Sequence, residues 1–173
     1  MLDEAARGPN DRGRRARRAG CRHTRRGPVA ADRLILDTSI LVAAERGHLD
    51  LAAAAADEAD AALPAIAVAE FLAGVYMAAT ESQRAARRAF LERVLSALPI
   101  EDYTQHVAEH HGELLAHVRR SGTTRGAHDL IIAATIAATG RTIPTADDGA
   151  RFGDLPNVAA RVIAARAAAS DSD

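Results

Sequence analysis

The stretch Leu34–Ala44, LILDTSILVAA, decides how this chain folds. Three apolar residues precede Asp37-Thr38-Ser39, and a second apolar run follows, which is the pattern of a buried strand, a helix cap and a helix. Asp37 is therefore a charge inside an otherwise apolar stretch. Because burying an isolated carboxylate is costly, a residue in this setting needs a partner that offsets the cost.

Two further acids stand in equally apolar surroundings. Glu70 lies in AIAVAEFLAGV, and Asp129 opens DLIIAATIAATG. A fourth acidic site, Asp147 with Asp148 beside it, follows the strand-like run RTIPT. We take Asp147 as the functional member of this pair, with Asp148 as the alternative.

Short apolar runs alternate with longer helical patterns from Leu34 onward, which predicts an α/β domain with a mainly parallel central sheet flanked by helices. The predicted strands are 34–36, 61–63, 98–100, 141–145 and 158–163. The predicted helices are 50–59, one beginning at or after Pro64, 81–97, 103–120 and 128–139.

The predicted fold brings the acids to one edge of the sheet. Asp37 and Asp147 follow strands, and ligand sites of open parallel sheets form at the carboxyl ends of strands, near a switch in strand order. Asp129 opens a helix whose dipole favours an anion, whereas Glu70 projects from the middle of a helix. Taken singly, Asp37 and Asp129 are also explained as helix caps, but a cap cannot lie in mid-helix.

Oxygen ligands of this kind suit a hard cation such as Mg²⁺ or Mn²⁺. Thr38, Ser39 and Thr145 have hydroxyl groups that could form hydrogen bonds with a carboxylate or with a water molecule that binds the cation. The chemistry that follows is hydrolysis of a phosphodiester by metal-activated water. Near the third acid, Arg125 could contact phosphate and His128 could lie at the pocket rim, although an exposed loop Arg and a structural His are the simpler interpretations.

Composition narrows the class of protein. The chain has 173 residues, enough for one domain, and no apolar stretch long enough to span a bilayer, so we expect a soluble, cytoplasmic protein. Cys21 is the only cysteine, which excludes an internal disulfide and a cysteine metal cage. All 22 basic residues are Arg, and the absence of Lys excludes a P-loop.

Residues 1–32 are expected to form a disordered, Arg-rich leader, because they lack hydrophobic periodicity. Residues 1–33 hold ten Arg and four acidic residues, a balance of +6, against −7 for the rest of the chain. The leader is interpreted as a nucleic-acid-binding arm, a targeting peptide or the product of a start codon assigned too far upstream. We expect the folded domain at 33–164 and a flexible tail at 165–173.

These segments resemble the PIN domain, and specifically the VapC toxins of bacterial toxin–antitoxin pairs. The resemblance covers roughly residues 33–164 and rests on LILDTS, VAEFLAG, AHDLIIAAT and TADDGARFGDLPNV. It implies a Mg²⁺-dependent endoribonuclease in which Asp37, Glu70, Asp129 and Asp147 bind the metal, with Thr38 or Ser39 as a hydroxyl companion. The family usually begins close to the first strand, which favours the misassigned start.

The resemblance also implies partners: an RNA substrate, a VapB-type antitoxin that occludes the acidic pocket, and a second copy of the chain in a homodimer. The stretches near 50–59 and 65–79 are richer in Ala and Leu than one small core needs, and we expect part of this surface to bind the antitoxin helix or the second protomer. A non-catalytic binding module and a DNA-directed nuclease of the same architecture are the alternatives.

Overall fold

A five-stranded parallel sheet forms the centre of the fold. The computed structural model describes residues 33–51, 60–145 and 151–162. Within them the strands run in the order β3-β2-β1-β4-β5, and every pairing is parallel. The strands are β1 (Arg33–Ile35), β2 (Asp60–Pro64), β3 (Ile100–Glu101), β4 (Thr142–Thr145) and β5 (Ala159–Val162). The predicted α/β class with a parallel sheet is confirmed.

Five α-helices and one 3-10 turn are present in the described ranges. The helices are α1 (Thr38–Glu45), α2 (Ala65–Tyr76), α3 (Glu81–Ala97), α4 (Gln105–Ser121) and α5 (Ala127–Thr139), and the 3-10 turn is Phe152–Asp154. Helix α3 has the predicted bounds, because the Thr80 hydroxyl accepts the amide N–H of Gln83 at its start. Gly122 and Gly140 end α4 and α5 in the left-handed conformation that glycine adopts without steric cost.

The sheet separates two apolar cores. Alternate residues of β1 face opposite sides, so Leu34 and Leu36 pack with α1, α2 and α3, whereas Ile35 packs with α4 and α5. Leu34, Ile35 and Leu36 are fully buried, which explains why this segment is a continuous apolar run in the sequence. The fold is therefore a three-layer α/β/α sandwich built on LILDTSILVAA.

The strand order reverses at β1. From β1 the chain moves outward through β2 to β3, and it then returns to place β4 and β5 on the other side of β1. A crevice at the carboxyl ends of the strands is expected at such a switch point. Asp37 lies two residues after the end of β1, so the acid of the first motif lies at this edge of the sheet.

Each of the five predicted strands differs from the observed strand by one or two residues at an end; the first was expected at 34–36 but spans Arg33–Ile35, and the second was expected at 61–63 but spans Asp60–Pro64. The third was expected at 98–100 but spans Ile100–Glu101. Pro99 has no N–H to donate, although its carbonyl accepts the amide of Leu63 at 3.0 Å, so regular pairing begins one residue later. The fourth strand was expected from Arg141 but begins at Thr142, because Gly140 ends α5 with a positive φ and Arg141 continues the turn.

Several predictions fall outside the described residues. These are the leader at 1–32, most of the helix at 50–59, both Asp147 and Asp148, the last residue of the 158–163 strand, and the tail at 165–173. The domain bounds at 33 and 164 remain predictions. None of the helices in the described ranges combines the length and hydropathy needed to cross a bilayer.

Candidate active site

Asp37 is the buried centre of the candidate site. It caps α1, and its Oδ1 accepts the Ile40 amide at 3.1 Å and the Ser39 hydroxyl at 2.7 Å. Only 8% of the residue is exposed. The cap interpretation is therefore correct, and it explains how the carboxylate is oriented, but it does not explain why a charged residue is buried when Ser or Thr could cap the helix.

The pKa of Asp37 is raised, chiefly because burial removes water from its carboxylate. The hydrogen bonds from Ser39 and Ile40 act in the opposite direction, and the negative charge of Asp129 raises the pKa further. No cationic side chain of the described residues is among the groups that shift this pKa. Asp37 and Asp129 thus lie close enough to repel each other, an arrangement that a bound cation would relieve.

Glu70 bridges the two segments that carry these aspartates. The Thr38 hydroxyl donates to its Oε2, and the Nδ1 atom of His128 lies 2.6 Å from its Oε1. Thr38 follows Asp37 and His128 precedes Asp129, so Glu70 in the middle of α2 connects the start of α1 to the start of α5. Thr38 and Ser39, the predicted hydroxyl companions of the acids, donate hydrogen bonds to Glu70 and Asp37 respectively.

Asp129 lies in the first turn of α5, where the helix dipole favours a carboxylate. The helix is capped by Gly126, not by Asp129, so the cap interpretation of this acid is wrong. A Cβ atom on Gly126 would lie 2.6 Å from Oδ2 of Asp129, closer than van der Waals contact allows. Glycine at 126 therefore leaves the space that the Asp129 carboxylate fills.

The described acids form a partial donor set. In the ranges 33–51, 60–145 and 151–162, no three His, Cys, Asp or Glu side chains are close enough together to hold a metal ion. The contacts above nevertheless bring Asp37, Glu70 and Asp129 to one edge of the sheet. The predicted fourth ligand, Asp147, lies outside the described residues, as does the side chain of Thr145.

The chemistry of these donors fits a hard divalent cation. All three described acids offer carboxylate oxygens, which Mg²⁺ and Mn²⁺ prefer, and hydroxyl groups of Thr38 and Ser39 fix two of them. Asp37 in particular is a buried anion beside a second anion. A dipositive ion is the partner that would offset both the desolvation and the repulsion.

A cavity of about 830 Å³ opens beside Asp129. Its walls come from the end of α4, the loop 122–126 and the 3-10 turn. Arg125, Arg151 and Asp154 meet in this wall, with Asp154 Oδ2 at 3.6 Å from Arg125 and 2.6 Å from Arg151. Arg125 has a side-chain exposure of 13%, so the interpretation of it as an exposed loop residue is wrong.

Three residues of this region were assigned no role, or a lesser one, from the sequence. His128 was interpreted as structural, yet it contacts Glu70 directly. Arg151 and Asp154 belong to the quoted segment ARFGD, and their i,i+3 spacing was the available signal. Their meeting with Arg125 joins segments far apart in sequence, which spacing alone does not indicate.

Comparison with known proteins gives consistent matches. The PIN domain family model matches residues 34–156. Ribonuclease VapC5 of Mycobacterium tuberculosis (strain ATCC 25618 / H37Rv) is 35% identical over 116 residues, which cover 66% of this chain and 82% of that protein.

Two solved structures are similar along most of their length. A chain of VapBC2 from Rickettsia felis, crystallised with a DNA fragment from their promoter, superposes with a TM-score of 0.68 at 26% identity, covering 76% of this chain and 99% of that chain. A chain of VapBC-5 from Mycobacterium tuberculosis, from the VapBC family of toxin–antitoxin systems, gives 0.61 at 27% identity, covering 76% and 98%.

Proposed function

Because this chain belongs to the PIN domain family, we propose that it is the Mg²⁺-dependent endoribonuclease toxin of a VapBC-type toxin–antitoxin pair. The observation that carries the proposal is that Asp37 and Asp129 lie close enough to repel each other, while Glu70 contacts Thr38 and His128, the chain neighbours of these two aspartates. The relative Ribonuclease VapC5 is a ribonuclease by name and is 35% identical to this chain over 116 residues, which supports RNA as the substrate.

Asp37, Glu70 and Asp129 would hold the metal ion, with Asp147 as the fourth ligand that the family resemblance implies. Bound Mg²⁺ supplies an activated water molecule and offsets the charge that develops on the phosphate and the leaving oxygen. Mn²⁺ is the expected substitute, since it takes the same oxygen ligands.

The remaining residues fix the carboxylates in place. Thr38 donates a hydrogen bond to one oxygen of Glu70, and His128 binds the other oxygen, so this side chain cannot rotate freely. The Ser39 hydroxyl and the Ile40 amide hold Asp37 in the same manner. A rigid donor set of this kind positions a reacting group without reorganisation at the moment of reaction.

The partners follow from the same proposal. The similar structures are of VapBC pairs, which supports a VapB-type antitoxin as the inhibitor of this chain in the cytoplasm. At the end of α2, Tyr76 and Met77 have exposures of 64% and 84%, and they offer an apolar surface to the antitoxin or to a second protomer in a homodimer.

The test is RNA cleavage by the purified chain with Mg²⁺, Mn²⁺ or a chelator. The wild type should cleave with either metal, and Asp129→Asn should lower the rate about 100-fold or more, because it removes one ligand charge. Asp102→Asn is the matched control on an exposed loop and should leave the rate unchanged.

Two outcomes would contradict the proposal. Absence of cleavage in every metal would favour the non-catalytic binding module. Cleavage of single-stranded DNA but not of RNA of the same sequence would favour the DNA-directed nuclease.

A further inference from the structure

The cavity beside Asp129 has the size and lining of a site for a charged strand. Its volume of about 830 Å³ lies within the range of pockets that enclose whole small molecules. Asp129 belongs to its wall, so the cavity begins at the candidate metal site. It continues past Thr123 and Thr124 to the 3-10 turn at Phe152–Asp154.

Two arginines share one carboxylate in this wall. Asp154 lies 3.6 Å from Arg125 and 2.6 Å from Arg151, and with Asp129 the described wall has two positive and two negative side chains. The ion pair holds both guanidinium groups at the cavity, and a guanidinium presents a planar fork of N–H donors that matches a phosphate. The backbone of Arg151 has φ of 43°, a conformation that is uncommon for residues other than glycine and that places it at the start of the 3-10 turn.

The remaining lining favours contacts to the backbone of a nucleic acid over contacts to its bases. Ser121, Thr123 and Thr124 contribute hydroxyl groups, and the Ser121 and Thr123 hydroxyls are 2.9 Å apart. Among the described lining residues, His117 has the single aromatic ring on which a base could stack, against three hydroxyl side chains and two arginines. Phosphate and ribose hydroxyl groups are the parts of RNA that such a surface can bind.

We propose that this cavity binds the RNA strand next to the scissile bond, with Arg125 and Arg151 contacting the phosphate of a neighbouring nucleotide and Asp154 positioning both arginines. This inference rests on the proposed ribonuclease function and assigns its substrate-binding side. In this proposal the acids would bind the metal ion that contacts the reacting phosphate, and the arginines would bind a neighbouring phosphate and so fix the register of the strand.

The experiment compares two arginines that form the same kind of ion pair in different parts of the fold. Arg151 and Arg84 each form an exposed i,i+3 ion pair, with Asp154 and Glu81 respectively, but Arg84 lies on α3 away from the cavity. Arg151→Gln and Arg84→Gln therefore remove the same charge and the same kind of contact. Binding of a labelled single-stranded RNA oligonucleotide is measured by fluorescence anisotropy in the presence of a chelator, so that the result does not depend on cleavage.

Arg151→Gln should weaken RNA binding about 3- to 10-fold and lower the slope of log Kd against log salt concentration by about 0.7, the change for one phosphate contact to a single strand. Arg84→Gln should leave both quantities within experimental error of the wild type. In cleavage assays with Mg²⁺, Arg151→Gln should raise KM by a similar factor and leave kcat within about twofold, since it touches the strand and not the reacting group.

Equal affinities and slopes for the two variants would overturn the proposal, as would an effect confined to single-stranded DNA of the same sequence. If the wild type cleaves no RNA, the proposed function fails, and the anisotropy comparison still decides whether the cavity binds RNA. Arg125→Gln is a second variant of the same cavity, and it should also weaken RNA binding. Because Arg125 is less exposed than Arg151, thermal unfolding checks that this substitution leaves the fold intact.

Discussion

Asp37 shows how one residue serves the fold and the site with the same atom. Its Oδ1 caps α1, so the carboxylate is fixed by the element that begins behind it. Asn can accept the same hydrogen bonds without a charge, and it is a cap of similar quality. Capping therefore does not require the charge, and burial of the charge raises the pKa of Asp37, a feature common among residues of functional sites.

Asp37→Asn should stabilise the protein in the absence of metal by about 1 kcal/mol, because it removes a desolvated charge that Asp129 repels. For a domain of this size the unfolding temperature should rise by about 2–4 °C, as measured by thermal unfolding in a chelator. RNA cleavage should be lost in the same variant. A lower unfolding temperature would mean that the ionised carboxylate stabilises the metal-free fold.

The space beside Gly126 leads to a second prediction. Because a Cβ there would lie 2.6 Å from Oδ2 of Asp129, Gly126→Ala must displace that carboxylate. We expect cleavage to fall by about 10-fold or more, as when a group that orients a metal ligand is changed, while the fold is retained at a cost of about 1 kcal/mol in capping.

Gly112→Ala is the matched control, because a Cβ at this position in α4 meets no atom within 4 Å. This variant should be more stable by about 1 kcal/mol, since Ala favours a helix interior, and its cleavage rate should equal that of the wild type. A normal rate in Gly126→Ala would show that Asp129 need not occupy its observed position.

At the scale of elements, an ion-pair network ties the strands together. Arg141, whose side chain is only 6% exposed, binds Glu101 Oε1 at 2.8 Å and Asp60 Oδ1 at 3.1 Å. Arg33 in turn lies 3.3 Å from Asp60 Oδ2 and donates to the carbonyl of Thr139 at 2.9 Å. The network joins β1, β2 and β3 to the turn before β4, and so supports the sheet that positions the acids.

This network predicts a pH effect on stability. The hydrogen bond from Arg141 is the main reason that the pKa of Asp60 is below its ordinary value of 3.8. A lowered pKa means that the ionised carboxylate stabilises the fold above pH 3.8, and that this stability is lost as the pH falls through the lower, folded-state pKa. Asp60→Asn should therefore be less stable than the wild type near neutral pH, and the difference should shrink in acid.

Urea unfolding between pH 2 and 7 measures this difference, with Asp102→Asn as the control on an exposed loop. A gap between Asp60→Asn and the wild type that does not change with pH would show that the ionisation of Asp60 does not matter to the fold.

The elements also show what sequence patterns can predict. Helix α3 was predicted with its correct bounds from its amphipathic pattern, and the structure shows that Thr80 caps its start and Leu98 leaves the helical conformation at its end. The approach of the acids could be anticipated because strands of a parallel sheet end at a common edge. The contact of His128 with Glu70, and the meeting of Arg125 and Arg151 at Asp154, depend on how distant segments pack, and no local pattern encodes that.

In the whole molecule, the strand order β3-β2-β1-β4-β5 determines where the acids lie relative to the sheet. The strand order reverses at β1, Asp37 lies just after the end of this strand, and α2 and α5 bring Glu70 and Asp129 to the same edge of the sheet. The body of the chain is acidic, with a balance of −7 outside residues 1–33. A polyanionic substrate is therefore attracted by local arginines such as those of the cavity, and by a cation when one is bound.

If Asp37, Glu70 and Asp129 bind a divalent cation together, Mg²⁺ should stabilise the folded protein, which thermal unfolding with and without Mg²⁺ measures. A ligand that binds only the folded state, at 100 times its Kd, stabilises by about 2.7 kcal/mol, so the unfolding temperature of the wild type should rise by several degrees. Asp102→Asn should show the same rise, and Asp129→Asn should show little or none. If Mg²⁺ left the unfolding temperature of the wild type unchanged, or raised that of Asp129→Asn equally, these acids would not be the ligands of a divalent cation.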